Sequence, residues 1–215
     1  MIVRIRLAAA LAAAGLLAAG CGATTAHDHS AASPPATVSA SGPQQKYAGI
    51  NLAQPYRRPS FTLTDTAKKP FDFTTATGKR PTLLYFGYTR CPDVCPTTMA
   101  DIAVALRGMD RATADKVQVV FVTTDPAHDT PAVLAEYLHR FDADLPVRFV
   151  GLTGKQDAID QAQLSAGVPL AEDDGKTHSS LLLLYGKDDQ AHVAFDAGNT
   201  SRDIASDLRQ VAGAS

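Results

Sequence analysis

Two cysteines, Cys91 and Cys95, stand four positions apart in the segment Gly-Tyr-Thr-Arg-Cys-Pro-Asp-Val-Cys-Pro. Beyond residue 21 they are the only cysteines of the chain. On one helical turn this spacing places both sulfurs on the same face, with a rise of about 6 Å. Two thiolates that close can chelate a soft metal such as Cu(I) or zinc, or they can close into a disulfide. The pair alone leaves both chemistries open.

A third ligand near the cysteines would favour metal binding over a disulfide, and His178 is the candidate. It lies far along the chain, just before an apolar segment over 181–185, so only the fold could bring it to the cysteines. Taken alone, such a histidine is more often a loop or capping residue. A purely structural disulfide is the competing reading of the pair, and closing so short a loop would stabilise the chain by about 2 kcal/mol.

The cysteine segment follows an apolar run over 81–88, which predicts a strand buried on both faces. We expect a helix from about Pro96, with Met99 and Met109 on its buried face as core residues. Cys95 would then lie just before the helix, where the positive end of the helix dipole favours a thiolate. Cys91 would lie at the carboxyl end of the strand, where open α/β sheets form their sites.

The rest of the chain alternates between strand-like and helix-like segments. This order predicts parallel βαβ units with right-handed crossovers and an antiparallel edge. A first hairpin is expected over 60–64 and 69–73, and a closing hairpin over 181–185 and 191–195. Further strands are expected over 117–123 and 147–152, and further helices from Pro131, over 155–166 and around Ile204, Leu208 and Val211.

The first 46 residues have the pattern of an exported protein. Residues 1–20 combine a basic start with an apolar run of 13 residues (7–19), too short to span a bilayer, and predict a signal peptide. Leu-Ala-Ala-Gly-Cys resembles the lipobox of bacterial lipoproteins, although Ala18 replaces a larger aliphatic residue, and predicts lipidation of Cys21. Residues 21–46 predict a disordered linker, and 47–215 predict one folded domain. The domain would be held at the extracytoplasmic face of the membrane.

The formal net charge of −2 and the lack of a basic cluster in the sequence disfavour nucleic acid as a partner. Export would place the cysteine pair in an oxidising compartment. The pair would therefore be oxidised there unless a reductant or a metal protected it.

Three motifs together resemble the SCO/SenC family of copper-binding proteins that assist maturation of cytochrome c oxidase. They are the two-cysteine segment 87–96, the segment Thr-Thr-Asp-Pro-Ala-His-Asp-Thr-Pro over 123–131, and the histidine segment 173–181. Residues 149–154 add a fourth similarity. The resemblance implies a thioredoxin-like, peroxiredoxin-like α/β fold, with a central mixed sheet flanked by helices and an N-terminal hairpin.

The resemblance also implies the ligands and the partners. Cys91, Cys95 and His178 would bind copper, as Cu(I) or Cu(II), for delivery to the dinuclear copper site of oxidase subunit II. Other extracytoplasmic copper carriers and a thiol reductant would be further partners. Asp125 could support the ligands from outside the metal's contacts, or it could simply stabilise a turn. Asp129 and Thr130 are interpreted as helix caps, and His128, where the family commonly has arginine, as a solvated loop residue.

Two functions compete: a metallochaperone, and a thiol–disulfide oxidoreductase that cycles Cys91 and Cys95 to keep the recipient's cysteines reduced. Three residues separate the cysteines, whereas thioredoxins have two, and 176–181 lack the proline that thioredoxins place before a site-facing strand. Both features favour a metallochaperone over an enzyme. A peroxide-reducing enzyme is disfavoured because residues 84–90 lack the peroxidatic cysteine pattern.

Overall fold

The computed structural model describes residues 46–173 and 178–213. The expected signal peptide, Cys21 and nearly all of the expected linker lie outside these ranges. Within them, eight strands form one sheet in the order β1-β8-β7-β4-β5-β6-β2-β3. The strands are β1 Ile50–Arg57, β2 Thr62–Asp65, β3 Pro70–Asp72, β4 Thr82–Gly87, β5 Gln118–Thr123, β6 Val150–Thr153, β7 Leu182–Tyr185 and β8 Gln190–Phe195. The helices are α1 Phe73–Thr77, α2 Val94–Arg107, α3 Arg111–Ala114, α4 Pro131–Asp142, α5 Gln156–Ser165 and α6 Ser201–Gly213.

The centre of the sheet is parallel and its flanks are antiparallel, as the alternating pattern predicts. β4 pairs in parallel with β5, and β5 with β6, while β7 runs antiparallel to both β4 and β8. All six residues of β4 are buried, which explains why its sequence is nearly continuously apolar. Gly87 is in register with Thr123, so the loops that follow β4 and β5 leave the same edge of the sheet side by side.

Successive side chains of the central strands point to opposite faces of the sheet and form two hydrophobic cores, one on each face. Tyr85 and Phe121 face α2, α4 and α6. Leu84 and Phe86 point to the opposite face, where Phe73 of α1 and Ile159 of α5 cover them. The sheet is therefore mixed and flanked by helices, as expected.

Both predicted hairpins are confirmed. β2 and β3 pair antiparallel, with Leu63 opposite Phe71, and β7 pairs antiparallel with β8. Sequence reasoning missed β1, which adds to the edge of β8, because its pairing is interrupted between Asn51 and Tyr56 and its pattern does not alternate. It also missed α1 and α3, which have five and four residues and are too short to show helical periodicity.

None of the helices in the described part of the chain has the length and apolar character needed to cross a membrane.

Candidate metal centre

The cysteines are positioned by the chain that turns from β4 into α2. Cys91 lies in the loop, where its N–H donates to the carbonyl of Tyr88 at 3.3 Å. Cys95 was expected just before the helix, but α2 begins at Val94, so Cys95 is its second residue and Pro96 its third. The helix tolerates Pro96 there because the first four N–H groups of a helix have no partner within it. The cysteines therefore occupy different environments.

Cys91 is the cysteine that lies in front of the helix N-terminus. The backbone N–H of Cys95 donates to its Sγ at 3.3 Å. Partial burial opposes ionisation, but backbone N–H groups of Cys95, Asp93 and Val94 hydrogen-bond the sulfur, and the pKa of Cys91 falls below its ordinary value. Cys91 is also only half-buried. It is thus the more ionised and the more accessible thiol.

Cys95 has the opposite environment, which corrects the expectation that the helix dipole would favour its thiolate. Its side chain is fully buried in the core beneath α2. Burial, together with the neighbouring Cys91 sulfur, raises the pKa of Cys95 to about 12. The hydroxyl of Tyr85 lies 3.7 Å from Cys95 Sγ and donates to it. Desolvation outweighs the dipole because the side chain points into the core rather than along the helix axis.

His178 enters from the segment before β7 and presents one ring nitrogen to the cysteines. Its Nδ1 lies 2.9 Å from the carbonyl oxygen of Ser179, which can only accept, so Nδ1 carries the proton. Nε2 then offers its lone pair and lies 3.4 Å from Cys95 Sγ. The ring packs edge-on against Tyr85 and Tyr88, with centroid distances of 6.3 and 5.6 Å. A hydrogen bond from the second ring nitrogen is how proteins orient a metal-binding histidine.

The three predicted ligands come together. Cys91 Sγ, Cys95 Sγ and a ring nitrogen of His178 all lie within 4.8 Å of one another. Among the described residues this is the one group of three or more histidine, cysteine or acidic side chains close enough to hold a metal ion. Two sulfurs and a neutral imidazole form a soft donor set, which suits Cu(I) and also accommodates zinc.

Asp129 holds the cysteine loop in place, a role that sequence reasoning missed. The fully buried carboxylate accepts from the backbone N–H of Thr89 at 2.9 Å and from the Thr89 hydroxyl at 2.6 Å. It also accepts from the Thr123 hydroxyl at 2.6 Å. The interpretation of Asp129 as a helix cap is therefore wrong, whereas Thr130 does cap α4 by accepting from Val133. No local signal in the sequence points to this role, because Thr89 lies 40 positions before Asp129 along the chain.

Asp125 lies under the same loop and pairs with the side chains of Arg90 and His128. Its carboxylate accepts from the Arg90 guanidinium at 2.9 Å and lies within hydrogen-bond distance, 2.8 Å, of Nδ1 of the imidazole of His128. Burial opposes ionisation, but the hydrogen bonds from His128 and Arg90 outweigh it and lower the pKa of Asp125. Its effect on the ligands stays a prediction, with Arg90, the neighbour of Cys91, as the connection. His128 is exposed, as expected, but it is paired with Asp125 rather than simply solvated.

The remaining histidines of the described chain lie away from the three ligands. His139 pairs with Asp142 at 3.5 Å on α4, and His192 pairs with Asp188 at 2.6 Å beside β8. Met99 and Met109 are buried in the core, as predicted. The site therefore consists of the three residues that the sequence motifs single out.

A profile of the SCO1/SenC family matches residues 51–213, which include Cys91, Cys95 and His178. The chain belongs to the SCO1/SenC family. Among individual SCO proteins, mitochondrial SCO2 of Saccharomyces cerevisiae is 37% identical over 113 residues, which are 53% of this chain and 34% of the relative. This chain spans between 34% and 64% of the length of four curated relatives that it matches.

Solved SCO structures match the fold over most of the chain. Copper-bound ScoI of Bradyrhizobium japonicum is 35% identical, with a TM-score of 0.60 over 73% of this chain and 99% of that one. BsSco, described as having a disulfide switch and as a member of the Sco family of cytochrome c oxidase assembly proteins, is 24% identical, with a TM-score of 0.57 over 77% and 99%. The thioredoxin-like fold is confirmed, and copper is the metal that a SCO relative holds.

Proposed function

We propose that this protein is a copper metallochaperone, which holds copper through Cys91, Cys95 and His178 and delivers it to the dinuclear copper site of cytochrome c oxidase subunit II. The observation that carries the proposal is the gathering of two sulfurs and one imidazole nitrogen, from distant parts of the chain, within 4.8 Å. Membership of the SCO1/SenC family supports copper as the cargo.

The unequal exposure of the ligands suits a carrier that must release its metal. Cys95 is buried, whereas Cys91 and His178 are both half-buried. An incoming ligand of the recipient can therefore approach the ion on the side of Cys91 and His178 while Cys95 still holds it. Three ligands leave a soft ion room for a fourth, so exchange need not pass through free copper.

Copper transfer between purified proteins tests this function. The Cu(I)-loaded chain is mixed with the copper-free soluble domain of oxidase subunit II, and the metal content of each is measured after separation. We expect one copper to leave the wild-type chain, and no tight loading in Cys91→Ser or Cys95→Ser, because each removes a charged soft ligand. His139→Ala is the matched control, since it removes an exposed histidine from α4. Retention of copper by the wild-type chain in the presence of excess acceptor contradicts delivery.

Thiol–disulfide exchange is the second candidate, and the contrast between the two thiols favours it. The Cys91 thiolate would attack a disulfide of the recipient, form a mixed disulfide and release the first thiolate. Cys95, once deprotonated, would then attack Cys91 Sγ and release the second thiolate. The recipient gains two electrons, the chain is left with a Cys91–Cys95 disulfide, and a thiol reductant restores it. His178→Ala separates the functions, because it removes a metal ligand and leaves both sulfurs in place.

Residues 1–21 support the further proposal that the protein is exported and anchored by a lipid on Cys21, at the extracytoplasmic face of the membrane. Mass analysis of the mature N-terminus tests it, with Cys21→Ser as the comparison. An unmodified N-terminus beyond residue 21 contradicts the anchor and leaves the copper site untouched.

A further inference from the structure

A small groove adjoins the metal centre on the side of Cys95 and His178. Val94, which precedes Cys95 on α2, and Thr98, which follows it by three residues, line one wall. Ser180, two residues after His178, lines another, and the loop between β8 and α6 closes the third side. The cavity measures about 170 Å³. A pocket for a drug-sized ligand or a cofactor is typically about 300–1,000 Å³, so this groove has room for little more than one long side chain.

The floor of the groove is apolar. It is formed by Leu182, Phe195 and Ile204, whose side chains belong to the core between the sheet and helices α2 and α6. Each of the three is at most 2% exposed, so these side chains are packed from below and leave only a small apolar surface open to the groove. An apolar floor fits a hydrocarbon chain and offers nothing to a hydrated ion.

The rim of the groove is acidic. Asp93, Asp101 and Asp196 line it, and lysine, arginine and histidine are absent from its described lining. None of these three carboxylates forms a salt bridge with another described residue. Asp93 is the residue before α2, yet its side chain makes no capping hydrogen bond. The rim therefore carries three carboxylates that form no ion pair within the described chain, although Asp196 accepts a hydrogen bond from the Gly198 N–H at 2.8 Å.

An apolar floor beneath an acidic rim matches the two halves of a lysine or arginine side chain, whose methylene stem packs against apolar surface while its charged head remains at the rim. We propose that this groove receives one lysine or arginine side chain of the protein that takes copper from the site. Occupation of the groove would bring the partner's surface over the Cys95 and His178 side of the centre, within reach of the half-buried Cys91. This inference rests on the proposed metallochaperone function and names the contact that would align the two proteins.

The acidic rim also argues against two other classes of partner. Nucleic acid and anionic membrane surfaces would be repelled by three carboxylates that form no salt bridge. A basic partner would be steered towards them, and its association would weaken as salt screens the charges. The contact should therefore be visible in the salt dependence of binding.

The test follows complex formation and copper transfer separately. The Cu(I)-loaded full chain is titrated with fluorescently labelled, copper-free soluble domain of oxidase subunit II, and binding is read from anisotropy at several ionic strengths. The groove variant carries Asp101→Asn with Asp196→Asn. The control carries Asp115→Asn with Asp157→Asn, two changes that remove the same charge from α5 and the end of α3, outside the groove. A third variant, Ala197→Arg, places a guanidinium on the exposed groove wall.

We expect both groove variants to bind about tenfold more weakly at low salt, with a flatter salt dependence, while the control binds like the wild type. Copper affinity should be equal in all four proteins. Groove variants that bind like the wild type overturn the proposal, as does a wild-type chain that forms no complex. If the wild-type complex forms but copper stays on the chain, the metallochaperone function fails, and the groove is still judged by the binding of its variants.

Discussion

Cys95 Sγ occupies the space that a side chain on Gly87 would fill. A Cβ built on Gly87 would come 2.9 Å from that sulfur and 3.0 Å from the Tyr85 ring. Both contacts are closer than real Cβ atoms usually make. Gly87 ends β4 on the face that packs against α2, so the absence of its side chain lets the buried cysteine approach the sheet.

Gly87→Ala is therefore expected to move Cys95 Sγ away from its partners and to weaken copper binding by about tenfold or more, since a ligand misplaced by a few tenths of an ångström loses much of its bond. Competition with a coloured Cu(I) chelator measures the change. Gly108→Ala, at the end of α2, is the control, because its Cβ would meet only ordinary contacts at 3.5 Å. Equal copper affinity in Gly87→Ala and wild type would show that Cys95 Sγ can move to accommodate the added methyl group without loss of copper binding.

Asp129 gives a second prediction, which separates the position of the cysteine loop from the ligands themselves. Asp129→Ala leaves the buried Thr89 N–H and Thr123 hydroxyl without their acceptor and should lower the free energy of unfolding by about 2–4 kcal/mol. Copper affinity should fall with it, because Thr89 leads into Cys91. Asp129→Asn should be milder, since an amide oxygen can replace Oδ2 and its NH₂ can donate to the Thr89 hydroxyl.

Thr130→Ala is the matched control for Asp129, since it removes only the cap of α4 and should cost about 1 kcal/mol. Denaturant unfolding and copper competition on the same samples measure both effects. If Asp129→Ala and Thr130→Ala had the same copper affinity, the clamp on the loop would be irrelevant to the site.

The pKa values of the Cys91 and Cys95 thiols should differ widely in the reduced, metal-free protein. The pKa of Cys91 is lowered, so its thiolate persists below the ordinary range and disappears only as pH falls through that lowered value. The pKa of Cys95 is raised to about 12, so this thiol stays protonated through neutral and mildly alkaline pH. Alkylation followed by peptide mass analysis at pH 6–10 should modify Cys91 first at every pH. Faster modification of Cys95 would contradict the assignment of Cys91 as the more accessible and more ionised thiol.

Copper loading should release protons from the two cysteines, and more from Cys95 than from Cys91. Metal binding needs both sulfurs deprotonated, so at neutral pH Cys95 contributes about one proton, and Cys91, whose pKa is lowered, contributes less than Cys95. Apparent Cu(I) affinity should therefore fall as pH is lowered, and calorimetry in buffers of different ionisation enthalpy counts the protons. Release of no proton at neutral pH would mean that Cys95 does not bind the metal as a thiolate.

Much of this arrangement could be predicted from the sequence, because strong local patterns specify it. The buried run of β4, the Thr130-Pro131 start of α4 and the hairpin of β7 and β8 all have clear periodicity or capping signals. The distant His178 could be assigned to the site only through family resemblance. The structure adds the two ring contacts and the Ser179 carbonyl that orient it.

The errors arose where burial and long-range contacts decide the outcome. A dipole argument assigns the thiolate to the cysteine nearer the helix, but the direction of the Cys95 side chain into the core reverses the result. Asp129 resembles a helix cap in sequence because it precedes Thr130, and only the tertiary fold brings Thr89 and Thr123 to its carboxylate. β1 is stabilised by its pairing with β8, and this long-range contact cannot be inferred from the local sequence of β1.

X-ray absorption of the Cu(I)-loaded chain counts the atoms bound to copper and therefore tests the copper site itself. We expect two sulfur neighbours and one imidazole nitrogen in the wild-type protein. His178→Ala should lose the nitrogen, with a larger loss of affinity for Cu(II) than for Cu(I), and His139→Ala should leave the spectrum unchanged. A wild-type spectrum without the imidazole, or one that His178→Ala leaves unaltered, would contradict the proposed copper site.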